Sequence, residues 1–176
     1  VILVAADERI AKFRHPTPTE KRVEKCAMLV IGARRWGLIV STTRLVHFGP
    51  IGDELRRKHD SVCRIDATAI TATKPGADIA GILDKIKSAY ATEGYPEEWK
   101  LHHQGGPTGY KGREFRATPS TKATVLENQA FAWNPTISGT KSEDALIATS
   151  SGPEIVSGIA DWPMVEVEAD GITIPR

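Results

Sequence analysis

Four glycines crowd between residues 105 and 112, at 105, 106, 109 and 112, and they divide the chain into two unlike halves. Glycine is the costliest ordinary residue inside a helix after proline, so no helix crosses this run. Before it the apolar residues recur at helical spacing. From Asp53 to about Thr73 they fall at Leu55, Val62, Ile65, Ala69 and Ile70, until Lys74-Pro75-Gly76 stops the pattern. Asp78 is placed to cap a second helix whose stripe is Ile79, Ile82, Leu83, Ile86 and Tyr90, and Glu93-Gly94-Tyr95-Pro96 ends it. After the glycines come short β-rich stretches at 123–127, 129–133, 144–150, 154–158 and 164–169, which favour antiparallel pairing.

The segment ahead of the helices is also β-rich. Val1 to Ala6 reads as a strand, and Pro16 to Pro18 as an extended connection, because proline biases its predecessor away from helical angles. Cys26 to Ala33 and Trp36 to Thr42 read as a hairpin that turns at Arg34-Arg35. Strands, two helices, then strands again make an α+β chain. At 176 residues it is long enough for one core-bearing domain.

Composition removes several function classes. Twenty-three basic against twenty-two acidic side chains leave a formal charge of +1, too little for a nucleic-acid or anionic-membrane partner. The cluster Arg56-Arg57-Lys58 is a solvated helix face. No window reaches the ~18 consecutive apolar residues that a membrane span requires. Cys26 and Cys63, without a CxxC motif, read as reduced core thiols, and the expected location is the cytoplasm.

Three segments carry a family likeness: GGPTGYKGRE (105–114), AFAWNPTI (130–137) and GTKSEDALIAT (139–149). They resemble G-H-G-x-G-x-x-x-H-E, x-F-T-x-E-P-G and R-x-E-D-T of the creatinase, aminopeptidase P and methionine aminopeptidase family. A fourth, Val30-IGARRWGLIV-Ser41-TTR, matches D-x-G-A-x-x-x-G-x-x-x-D-x-T-R at Gly32, Ala33, Gly37, Thr43 and Arg44. Upstream, His15 with Pro16 and Pro18 resembles the H-x-x-P-T of the proline-specific members. The resemblance runs from Val1 to about Thr149. It implies a pita-bread fold, a curved antiparallel sheet with helices on its outer face, here incomplete at its N-terminus. Residues 1–176 would then be one catalytic-like domain, the C-terminal part of a longer protein that forms a homodimer.

In that family the matched positions supply five ligands to a pair of metal ions. Here they hold Val30, Ser41, Gly106, Asn134 and Glu143, and only Glu143 is an ionisable carboxylate. A dinuclear hydrolase needs several carboxylates converging on one point, so no metal or other cofactor is expected. The implied function is a metal-free relative of Xaa-Pro peptidases that binds a peptide or small ligand, or a creatinase-like non-metal hydrolase. The alternative is an active metal-dependent Xaa-Pro aminopeptidase or dipeptidase.

A creatinase-like site would use His15 as proton shuttle and Glu143 as its carboxylate partner. His102, His103, Arg113 and Asn134 would bind substrate. Each has a plainer reading as well. His15 is also a turn histidine before proline, and adjacent His102 and His103 point to opposite faces, one in the wall and one exposed. Arg113 is either an ion-pair partner for Glu143 or a clamp for a carboxylate or phosphate, and Lys141 can serve similarly. Trp133 fills volume beside Asn134.

Overall fold

The computed structural model describes residues 2–176. Val1, expected in the first strand, lies outside the described residues. Strand β1 (Ile2–Ala6) is followed by one short helical turn, α1 (Glu8–Lys12), which the sequence pattern did not announce. Strands β2 (Cys26–Arg35) and β3 (Leu38–His47) complete a three-stranded antiparallel sheet in the order β1-β2-β3.

The β2–β3 hairpin turns at Trp36-Gly37, not at Arg34-Arg35. Both residues have positive φ, 51° and 86°, the backbone of a two-residue turn whose twist matches the flanking strands. This places Gly32 opposite Ser41 and Val30 opposite Thr43. Directly paired residues share a face, as do residues two apart on one strand. Val30, Ser41 and Thr43, far apart in the chain, therefore face the same way.

Helix α2 (Asp53–Ala72) runs without interruption, and α3 (Ile79–Thr92) starts where Asp78 accepts the Gly81 N–H at 2.8 Å. Ile79, Ile82, Leu83, Ile86 and Tyr90 are all buried, as their spacing predicts. Beyond a 3₁₀ turn at Glu98–Leu101, strands β4 (Gly105–Pro107), β5 (Gln129–Trp133), β8 (Asp144–Thr149) and β9 (Gly152–Ile155) form an antiparallel sheet in the order β4-β5-β8-β9. Between β5 and β8 lies a small hairpin, β6 (Thr136–Ile137) and β7 (Thr140–Lys141), and the chain closes with the hairpin β10 (Glu166–Ala169) and β11 (Ile172–Pro175). The expected strand at 123–127 is reduced to one bridge, Asp78 with Thr124.

The main core joins α2 and α3 to β5 and β8 through Ile65, Ile70, Ile86, Tyr90, Phe131, Trp133 and Leu146. Trp133 is fully buried there, donating to Thr73 Oγ1 at 2.8 Å and stacking on Phe131. A smaller core, Ala5, Ile10, Cys26, Met28 and Val30, sits under the first sheet. Both cysteines are free and buried, and burial pushes the Cys63 thiol up to about 12. Among the described residues no helix is long and apolar enough to cross a membrane.

Candidate functional site

The two sheets meet where β3 runs beside β8. Thr43 N–H donates to the Glu143 carbonyl at 3.0 Å, and Thr43 Oγ1 to the Glu143 carboxylate at 2.7 Å. One residue on, Arg44 forms an ion pair with Asp144 at 2.8 Å. The pairs Thr43-Arg44 and Glu143-Asp144, a hundred residues apart, thus bind each other side chain to side chain and seam the sheets together. Asp144 also takes the Arg176 guanidinium at 2.6 Å, and Arg176 reaches Asp66 at 2.8 Å, making a buried charge network behind the site.

In front of the seam opens a cavity of about 320 Å³. Val30, Ser41, Asn134 and Glu143 line it, together with His15, His103, Arg113, Arg34 and Lys141. Four of the five aligned ligand positions therefore converge. Gly106 does not line this cavity. It sits in buried β4 with φ 149°, and a Cβ there would come within 2.5 Å of the Phe115 carbonyl oxygen. A histidine cannot occupy that backbone position without displacing main chain.

Glu143 is the carboxylate of the cavity wall, and both its oxygens are engaged. Lys141 Nζ lies 2.7 Å from Oε2, and Arg113 donates to Oε1 at 3.0 Å. Burial by itself raises the Glu143 pKa, but the charges of Lys141 and Arg113 and the Lys141 and Thr43 hydrogen bonds outweigh it and hold the group down at about 2. Lys141 is 2% exposed, a buried ammonium whose compensation is this carboxylate. Arg113 also donates to the Gly112 carbonyl and to Ser41 Oγ, so it spans the cavity floor from β3 to Glu143.

Three histidines stand together on one wall. His15 stacks on His103 at 5.7 Å, and His102 meets both edge-on at 5.9 Å. The expectation that one of His102 and His103 is exposed does not hold: both are half-buried, because His15 at the exposed lip folds back over them. The loop carrying His15 is pinned by Arg14, which donates to Glu98 at 2.6 Å and to Ser138 at 2.9 Å. His102 pairs with Thr136 Oγ1 at 2.7 Å and does not line the cavity. Desolvation, then the positive charges nearby, lower all three pKa values, His102 to about 3 and His103 to about 4.

The donor set does not fit a pair of divalent ions. Val30 has no donor atom, Ser41 only a neutral hydroxyl, Asn134 only an amide, and Gly106 neither side chain nor room for one. The carboxylate is already shared by two cations, which would repel a metal ion at the same place. Among the described residues no group of three or more His, Cys, Asp or Glu side chains is arranged to hold a metal ion.

Residues 3–169 match metallopeptidase family M24. This chain belongs to that family. Among M24 relatives, an uncharacterized peptidase of Staphylococcus saprophyticus is 25% identical over 152 residues, covering 82% of this chain and 43% of the relative. Among solved structures, a prolidase from Pyrococcus furiosus superposes with a TM-score of 0.81 at 19% identity, covering 90% of this chain and 49% of the other. An Xaa-Pro dipeptidase from Bacillus anthracis gives 0.80 at 24% identity, covering 92% and 46%. These likenesses show the M24 pita-bread fold. The chain spans less than half the length of each of these proteins.

Of the residues picked out from sequence, His15, His103, Arg113, Asn134 and Glu143 share the cavity, and His102 backs it. Arg34, Arg14 and Thr43 were missed. Arg34 was assigned to a turn, and Arg14 shows its place only when its loop packs on Glu98 and Ser138.

Proposed function

We propose that this M24 domain works without a bound metal, as a module that binds a peptide or other small ligand in the cavity between its sheets. The observation that carries this reading is the placement of Lys141 and Arg113 on Glu143, at 2.7 and 3.0 Å. Their fixed charges stand where a metal-dependent site would concentrate carboxylates around a divalent pair. The cavity itself remains open, so the loss of ligands has not been filled by packing.

A creatinase-like hydrolase is the second reading, favoured by one feature. His15 lies on the same cavity as Glu143 and Arg113, and desolvation with the nearby Lys141 charge lowers its pKa, which favours the proton-accepting form. The third reading, a metal-dependent Xaa-Pro aminopeptidase or dipeptidase, follows from family membership alone.

One experiment separates them. The protein is dialysed against manganese, cobalt or zinc, analysed for bound metal, and assayed on Xaa-Pro dipeptides with and without chelator. The expected result is no stoichiometric metal and no chelator-sensitive cleavage. Near-stoichiometric metal with chelator-sensitive cleavage overturns the metal-free reading. Metal-independent turnover that falls about a hundredfold in His15→Ala selects the hydrolase.

A further inference from the structure

Resting on the metal-free reading above, we infer that the cavity recognises a small oxyanion, a carboxylate or phosphate, that carries an N–H or O–H donor beside the anionic group. The charge of the lining points to the anion. Arg113, Lys141 and exposed Arg34 line the cavity with one carboxylate, Glu143, and exposed Arg116 stands close enough to oppose protonation of both His15 and His103. The surplus positive charge of the cavity therefore lies on these fixed cations; His103, held at about 4, is neutral near pH 7, and the His15 pKa is shifted in the same direction. A ligand anion adds to the one negative charge that Glu143 supplies against three cations.

Unpartnered atoms define the rest. Arg113 Nε is buried and has no hydrogen-bond partner, although the other two nitrogens of the same guanidinium are engaged. It is a charged donor awaiting an acceptor. Asn134, 2% exposed and lining the cavity, has an Oδ1 without a partner, and an amide oxygen can only accept. Both atoms have almost no accessible surface, so a ligand with an oxyanion and an adjacent donor recovers the free energy of leaving them unmatched by turning the Arg113 and Asn134 side chains toward it. A volume of about 320 Å³ suits a molecule of one or two amino-acid residues.

The test uses the full chain and four probes. N-acetylalanine has a carboxylate beside an N–H; N-acetylproline has the carboxylate without the N–H. N-acetylalaninamide keeps the N–H and loses the charge, and glycerol 3-phosphate places a phosphate near a hydroxyl. Titration calorimetry is expected to show N-acetylalanine or glycerol 3-phosphate binding at least about tenfold more tightly than N-acetylalaninamide, with affinity falling as salt is raised. Whichever of the two binds better identifies the anion as carboxylate or phosphate.

Arg113→Met should weaken that binding about tenfold or more, while Arg113→Lys, which keeps the charge, recovers part of it. Asn134→Leu should narrow the preference for N-acetylalanine over N-acetylproline. Melting curves of each variant separate lost recognition from lost folding. Equal affinity for N-acetylalanine and its amide, or no binding of any probe at about 10 mM, overturns the inference and leaves the metal-free reading standing. Anion binding that appears only after manganese is taken up overturns the metal-free reading itself.

Discussion

At Glu143 one carboxylate compensates two cations, and this fixes the sign of every substitution nearby. Glu143→Gln leaves Lys141, 2% exposed, without a counter-charge, and the expected loss is about 3–5 kcal/mol in urea denaturation. Adding Lys141→Met to that variant should return most of the loss, because the uncompensated ammonium is then gone. If the double variant is as unstable as Glu143→Gln alone, the ion pair is not the cause. The identity of Glu143 as the remaining carboxylate was legible in the sequence. Arg113 and Lys141 were legible as candidate partners, but the choice between an ion pair and a free anion clamp was made only when β7 and the 112–114 segment placed them on its two oxygens.

At the scale of elements, the β2–β3 hairpin and β4 decide which residues meet. A two-residue turn at Trp36-Gly37 brings Val30 and Ser41 to one face, and moving the turn by one residue would send one of them to the other face. Strand β4 makes the opposite contribution, since it holds Gly106 at φ 149° against the Phe115 carbonyl. Gly106→Ala should cost about 3 kcal/mol in chemical denaturation, because the 115–117 backbone must move to admit the Cβ and φ is positive. A change below about 1 kcal/mol would show that β4 yields more readily than its packing indicates. Helices α2 and α3 were legible because a long apolar stripe and a capping Asp78 are local signals. The turn at 36–37 was misplaced because Trp36 carries no local signature of positive φ.

Across the whole molecule, the buried ionisable groups make stability pH-dependent in a stated direction. His102 and His103 have folded pKa values of about 3 and 4, below the ordinary 6.5, so the native state favours their neutral forms. Their contribution is present above pH 6.5 and is lost as pH falls toward 4 and 3. Glu143, held at about 2, adds stability present above its ordinary 4.5 that is lost between pH 4.5 and 2. Melting temperature should therefore fall on acidification from pH 6.5 to 2, the histidine and carboxylate losses overlapping between 4.5 and 3, while Asp66, raised by burial to about 6, opposes the fall between 6 and 3.8. The His102→Gln, His103→Gln double variant should flatten the fall above pH 4.5 and leave the loss between 3 and 2; an unchanged profile would remove the histidines as the source.

The sequence by itself determined the family, the two helices, the α+β order and the non-ionisable residues Val30, Ser41, Gly106 and Asn134 at four aligned positions, since each is written in local pattern or in motif spacing. Only the tertiary structure decided that Lys141 and Arg113 close on Glu143, that three histidines stack into one wall, and that Gly106 has no space for a side chain. Burial, charge compensation and contact are properties of packing between segments, as where Thr43 meets Glu143 and His15 meets His103, and no local run of residues encodes them.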